Sequence, residues 1–262
     1  MQPNELFNLA GKHCFVTGAA SGLGLAMCEI MADSGAVVTM ADINAATLKR
    51  ESERLRGLGH SITAVQVDVT DSDAVKKAID DAAARVGRLD VCVPNAGGSV
   101  GPGGVARGTP IEDYPLDAWR RVLELNLTSV FVTMQCAARH MKKNKWGRII
   151  LIASGAALRA RPMVGYGYVA SKSALINMVK QAAVELAPHG ITVNAIAPGP
   201  IKTNIGEGVL DKPEEAKRFV AMIPMGRLGD PSEIKGLALL LGSGASSFIT
   251  GTVVSIDGGA TA

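Results

Sequence analysis

Thr17-Gly18-Ala19-Ala20-Ser21-Gly22-Leu23-Gly24 joins a short apolar run, residues 13–17, to a helical pattern that opens at Leu23. The run has the length and composition of a strand buried on both faces of a sheet. Glycines at 18 and 22 let the backbone turn tightly and come close to an anion, and Gly24 lets the helix pack against the sheet. The free N–H groups and positive dipole end of the helix then face that anion, so the stretch reads as a pyrophosphate cradle. Glycine clusters also mark ordinary turns. The strand before and the helix after are the context that separates the two readings.

Asp42 extends the reading. It follows a second predicted strand, residues 37–41, and lies 18 residues beyond Gly24. A carboxylate there accepts hydrogen bonds from both hydroxyls of a ribose and repels a 2′-phosphate. Neither Ser21 nor Ile43 supplies a cation to hold such a phosphate. The same carboxylate could cap the helix that follows, which is compatible. The expected cofactor is NAD.

The strand-then-helix rhythm continues along the chain. Strands are predicted at residues 13–17, 37–41, 63–67, 89–93, 148–153, 192–196 and 253–256, and helices at 23–34, 45–58, 71–86, 116–143, 168–186 and 231–241. Repeated βαβ units of this kind, right-handed and closed by short turns, give a doubly wound α/β fold. The expectation is a single Rossmann-type domain over residues 1–262, with a mostly parallel seven-stranded sheet and helices on both faces. Two segments interrupt the rhythm, residues 97–109 and 203–224. Both follow strand C-terminal ends, the edge where such sheets bind ligands, and the second reads as a substrate lid with its own short helix.

Composition removes several classes of function. The 27 basic and 24 acidic residues of the 262 are interspersed and give a net charge of +3. No basic block favours nucleic acid or a membrane surface. No apolar run approaches the ~18 residues of a membrane span, and the first residues carry no signal-peptide pattern. Cys14, Cys28, Cys92 and Cys136 are far apart in apolar surroundings, which suits buried thiols in a reducing compartment. The expected location is the cytoplasm. His13, His60, His140 and His189 are scattered, so no metal site is predicted.

Tyr168 and Lys172 sit at i and i+4 of the helix predicted from 168 to 186 and share one face. A phenol with a pKa near 10 is a poor base at neutral pH, and an adjacent ammonium lowers that value. Such pairs occur on any helix. Ser154 gives this one meaning: it follows the predicted strand at 148–153 and is the only Ser or Thr between Thr133 and Tyr168.

The ordered set Thr17–Gly24, Asp68-Val69, Asn95-Ala96-Gly97, Asn126, Ser154, Tyr168/Lys172, Pro198-Gly199 and Ile256-Asp257-Gly258-Gly259 resembles the short-chain dehydrogenase/reductase family over essentially the whole chain. The resemblance implies that Tyr168 is the general acid/base, that Ser154 holds and polarises the substrate oxygen, and that Lys172 grips the nicotinamide ribose. It implies that Asn126 holds a water linking Lys172 to solvent. Asp68 and Val69 would border the adenine and Asn95, Ala96 and Gly97 would line the cofactor, while Ile201 and Thr203 would meet the carboxamide. A homotetramer formed through the helices at 116–143 and 168–186 is implied as well. Three departures stand out. Pro94 precedes Asn95 where the family has a second asparagine, Ser154 and Tyr168 are one residue further apart than usual, and Tyr166 precedes Tyr168. Tyr166 has Ala170 rather than a lysine four residues on and is assigned to the pocket wall or the surface.

The implied reaction is hydride transfer between NAD and a small-molecule secondary alcohol: a polyol, a hydroxy acid or a cyclic alcohol. Arg107, Arg159 and Arg161 could hold an anionic substrate group, though loop arginines are more often simply solvated. Leu158, Met163, Val164, Val209 and Met222 offer apolar surface near the same place. Two other readings are open. A cofactor-sensing protein without chemistry should have lost Ser154, Tyr168 or Lys172, and all three are present. A 3-oxoacyl carrier-protein reductase using NADPH is disfavoured by Asp42.

Overall fold

Runs such as Val91-Cys92-Val93 and Ile149-Ile150-Leu151 carry no polar residue to turn toward water, so both faces of their sheet must be covered. The computed structural model describes residues 3–98, 109–161, 164–203 and 213–262. Among these, seven strands form one sheet in which every pairing is parallel. They are β1 (His13–Thr17), β2 (Val37–Asp42), β3 (Ile62–Gln66), β4 (Val91–Val93), β5 (Gly147–Ile152), β6 (Ile191–Pro198) and β7 (Val253–Ile256), in the order β3-β2-β1-β4-β5-β6-β7. The helices are α1 (Pro3–Leu6), α2 (Gly22–Asp33), α3 (Ala45–Gly57), α4 (Ser72–Val86), α5 (Leu116–Leu123), α6 (Ser129–Asn144), α7 (Tyr166–Leu186), α8 (Pro213–Val220) and α9 (Ile234–Gly242).

Side-chain alternation along β1 divides the core in two. Cys14 and Val16 pack with Met27 and Met31 of α2, Leu48 and Leu55 of α3, and Ile234 and Leu241 of α9. Phe15 faces the other way, toward Ile79 of α4, Met134 of α6, and Leu175 and Val179 of α7. Each such side chain, fully buried, contributes about 1.5–3 kcal/mol. Caps fix where the helices start. The Asn44 side chain accepts from Thr47 N at the head of α3, and Asp71 accepts from Asp73 N and Ala74 N at the head of α4. Gly87, in the left-handed region at φ +81°, ends α4. No helix among the described residues is long and apolar enough to cross a membrane.

The structure corrects the single helix expected at 116–143. It is α5 and α6 joined by a π-helical turn, Glu124–Thr128. Such a turn inserts a residue without interrupting the helical pattern, so hydrophobic periodicity does not reveal it. Ser129 and Thr133 hydrogen-bond back to the carbonyls of Leu125 and Ser129, as hydroxyls on distorted helices do. α7 begins two residues earlier than expected, which puts Tyr168 within its first turn. The last predicted helix is a 3-10 turn, Pro231–Glu233, followed by α9. β3 and β5 start one residue earlier, β4 is shorter and β6 runs on to Pro198. Of the two interrupting segments, residues 99–108 and 204–212 lie outside the described residues; the helix expected in the second is α8.

The chain steps outward from β1 to β2 and β3, then crosses back to place β4 on the other side of β1. That reversal opens a crevice above the carboxyl ends of β1 and β4, the position from which doubly wound sheets bind ligands.

Candidate active site

The crevice is a cavity of about 490 Å³, within the usual range for small-molecule and cofactor sites. Its floor is clamped by Thr17 and Asn95. The Thr17 hydroxyl accepts from Asn95 N and Ala96 N, both at 3.0 Å, and Asn95 Nδ2 donates to the carbonyls of Thr17 (2.9 Å) and Gly18 (3.1 Å). The ends of β1 and β4 are thereby tied together. Gly18 and Gly22 adopt φ of +62° and +55°, which a side chain would strain. A Cβ on Gly24 would lie 2.0 Å from the Gly18 carbonyl oxygen, so only glycine lets α2 approach this closely. Gly18, Ser21, Gly22 and Leu23 line the cavity; Gly24, expected to bind the cofactor, does not, and packs against the Gly18 carbonyl instead.

The carboxylate of Asp42 is aimed by two backbone donors, Ala20 N to Oδ2 and Asn44 N to Oδ1, each at 2.9 Å. It lines the cavity beside Ile43, as do Val67, Asp68 and Val69 after β3. Asp68 is held by Thr70, whose N and Oγ1 both donate to Oδ1. On the β4 side the wall is Asn95, Ala96 and Gly97. The glycine turn with its helix N-terminus fits a pyrophosphate, and the oriented Asp42 carboxylate fits a ribose diol. The residues present therefore suit a dinucleotide.

Ser154, after β5, and Tyr168 and Lys172, on α7, also line the cavity. Ser154 follows β5 in extended conformation, and its Oγ accepts from Ala156 N at 3.1 Å to start a 3-10 turn. Lys172 is 4% exposed and donates from Nζ to the Ile152 carbonyl at 2.7 Å. Burial disfavours its ammonium and pulls its pKa down to about 8. Nζ lies 5.9 Å from the centre of the Tyr168 ring, close enough for its charge to act on the phenol. The wall continues from the end of β6 through Pro198, Gly199, Ile201 and Thr203. A Cβ on Gly199 would come within 2.6 Å of the Asp257 Cβ. Ile201 forms a parallel bridge with Gly229, and the Thr203 side chain reaches the vicinity of Gly22, so this segment returns over the glycine turn.

Asn126 does not line the cavity. It is fully buried at the π turn, where Oδ1 accepts from Gly98 N (2.9 Å) and Nδ2 donates to the Gly98 carbonyl (2.8 Å). A Cβ on Gly97 would strike Asn126 Oδ1 at 2.6 Å and approach Lys172 Nζ at 3.5 Å, so the three residues are packed together. Periodicity gave no hint of this two-point grip.

The structure separates the residues suspected of meeting substrate. Arg161 lines the cavity; Arg159 is exposed, donating to the Ala262 carbonyl at 3.4 Å; Arg107 lies outside the described residues. Val164 lines the cavity, Leu158 and Met222 do not, and Met163 and Val209 lie outside the described residues. Tyr166 is at the surface, edge-on to Tyr114 at 5.5 Å. Sequence reasoning missed Thr17 as the clamp on β4, and Phe219 of α8 as cavity wall. The only signal for Phe219 was the short amphipathic pattern within residues 203–224.

A family model described as Enoyl-(Acyl carrier protein) reductase matches residues 18–261. The chain is 38% identical over 257 residues to the cis-4-hydroxycyclohexanecarboxylate dehydrogenase of Sinomonas cyclohexanicum, covering 97% of this chain and 98% of that protein. A short-chain type dehydrogenase/reductase from Mycobacterium marinum superposes with a TM-score of 0.90 at 36% identity, with 98% of each chain covered. A gluconate 5-dehydrogenase from Burkholderia cenocepacia, in complex with NADP and tartrate, does so with a TM-score of 0.90 at 32% identity and 99% coverage of both. Matched by that family model over residues 18–261 and by these proteins over nearly its whole length, the chain belongs to the short-chain dehydrogenase/reductase family of oxidoreductases.

Proposed function

We propose that the protein is an NAD-dependent dehydrogenase that oxidises a secondary alcohol, or in reverse reduces the ketone, with Tyr168 as the general acid/base. The observation that carries this reading is a single cavity with an oriented carboxylate, Asp42, on one wall and Ser154, Tyr168 and Lys172 on another. The nicotinamide ring supplies the hydride acceptor and donor. Ser154 Oγ hydrogen-bonds the carbinol oxygen and Tyr168 takes its proton, within the reach that general base catalysis requires. Lys172 holds the ribose hydroxyls and favours the phenolate. Gly98 occupies one acceptor site and one donor of the Asn126 amide. The remaining ones hold the water through which Lys172 exchanges protons with solvent. Asp68 and Val69 flank the adenine, Asn95 to Gly97 support the dinucleotide, and Ile201 and Thr203 face the carboxamide. The whole chain acts as one cofactor-binding domain with a substrate lid at about residues 203–224, assembled as a homotetramer.

NAD is preferred to NADP because Asp42 would repel a 2′-phosphate and its cavity neighbour Ile43 carries no charge. The NADP in the Burkholderia relative makes this the point to test first. The substrates proposed are polyols, hydroxy acids and cyclic alcohols, the last two in keeping with the substrate class that the Sinomonas relative's name states. A screen of such alcohols with NAD and with NADP should give reduced NAD and a kcat/KM favouring it. Tyr168→Phe should lower kcat roughly 100- to 10,000-fold with NAD affinity kept. Normal turnover by that variant sinks the assignment. Turnover confined to NADPH and a carrier-bound 3-oxoacyl group would favour the carrier-protein reductase instead, and NAD binding without turnover of any of these would favour a sensor.

A further inference from the structure

The described charged residues that line the cavity are Asp42 and Asp68 on the β2–β3 side, and Lys172 and Arg161 on the side of Ser154. Lys172 donates to Ile152, lies beside the phenol and is assigned above to the ribose. Arg161 differs. Half-buried, it donates one N–H, from Nη2, to the Ala260 carbonyl at 3.0 Å. Among the described residues no carboxylate pairs with it. Nη2 lies 3.9 Å from where a Cβ on Gly155 would stand, which places the guanidinium beside the residue that follows Ser154.

A guanidinium has five N–H donors, and one anchored donor leaves a fork whose geometry matches a carboxylate. A surface arginine would be satisfied by water. This one is partly desolvated, anchored through a single Nη2 hydrogen bond, and set in the wall that carries Ser154 and Tyr168. We propose that Arg161 is the specificity residue for an anionic substrate: it binds the carboxylate of a secondary hydroxy acid (or of the matching keto acid) while Ser154 and Tyr168 address the carbinol. This deepens the dehydrogenase reading and rests on it. Arg159, exposed and turned to the chain end, takes no part.

The test measures binding and turnover separately. Lactate, 3-hydroxybutyrate and 4-hydroxypentanoate, which set the carboxylate at increasing distances from the carbinol, are each compared with their primary amides. Calorimetry with the NADH-loaded protein reads affinity, and kcat/KM with NAD reads turnover. A charge-assisted contact of this kind is worth roughly 10- to 100-fold. The best-fitting acid should bind more tightly than its amide by about that factor. Arg161→Gln should collapse the acid-to-amide ratio, and Arg161→Lys should recover part of it. If Arg161 merely fastens the Ala260 carbonyl, its loss lowers thermal stability and weakens acid and amide alike, leaving the ratio where it was; that outcome overturns the proposal. So does a wild-type protein that binds none of the three acids better than its amide. The dehydrogenase reading survives either result if neutral secondary alcohols are oxidised in a Tyr168-dependent way, and fails separately if they and the acids are not.

Discussion

Lys172 illustrates how far one residue can be read from its type. Its spacing from Tyr168 is visible in the sequence, and so is the chemistry of an ammonium beside a phenol. Its burial is not, because that depends on β5 passing beneath α7 to offer the Ile152 carbonyl. Burial has a measurable consequence. The folded chain releases the Lys172 proton near pH 8, against an ordinary 10.5 for a solvated amine. Between those values the unfolded chain binds the extra proton, so this group's contribution to stability rises with pH across the window; below pH 8 the buried charge costs its full amount. Lys172→Met lacks that rise. Melting curves from pH 7 to 10.5 should therefore show wild type gaining on the variant by roughly 1–3 kcal/mol. A constant difference would mean that the amine is solvated. Ser154 and Asp42 stand out in the sequence for the same reason as Tyr168, since few residue types suit the chemistry proposed for them, and the structure brings all three to one cavity. Arg161 and Arg159 could not be told apart in sequence, since the distinction lies in which of two neighbouring carbonyls each one reaches.

Elements were legible wherever a local rule fixed them. The apolar run of β1, buried on both faces, states its conformation in sequence, whereas the caps at Asn44, Asp71 and Gly87 emerge only in the structure, Asn44 rather than Asp42 capping α3. The π turn at Glu124–Thr128 states nothing locally, because what stabilises it is the long-range grip of Asn126 on Gly98. The α2 element offers a clean experiment. Gly24 lies within α2 against the Gly18 carbonyl, whereas Gly236 lies within α9 with nothing within 4 Å of its missing Cβ. Helix propensity alone predicts a gain of about 0.5–1 kcal/mol for either as alanine. Gly236→Ala should show that gain. Gly24→Ala should instead destabilise by roughly 1–3 kcal/mol through forced displacement of α2, and should weaken NAD binding by moving the helix N-terminus away from the glycine turn. Thermal melts and NAD titration of both variants check this. Equal stabilisation by the two would show that α2 does not need the close approach.

At the scale of the whole molecule, the sheet order puts the crevice between β1 and β4 and brings to it residues drawn from Gly18 to Phe219. The strand-helix rhythm gave the sheet; the order needed the additional rule that crossovers are right-handed and reverse once. The same architecture leaves α5, α6 and α7 along one side. Leu116 on α5 is 58% exposed, Phe131 on α6 46% and Val184 on α7 76%. Single exposed apolar residues are ordinary on a monomer. These three lie on the helices through which tetramer formation is proposed, and a self-complementary contact there would bury all of them twice over by symmetry. Light scattering should then report about four times the 27.1 kDa chain mass. Val184→Lys, which puts a charge into an apolar contact, should lower that mass without changing the circular dichroism of the fold. Tyr168 and Lys172 are also on α7, so disassembly should reduce turnover even though no partner residue is needed in the cavity. A wild-type protein of 27.1 kDa that turns over normally would place all of the catalytic rigidity within one chain.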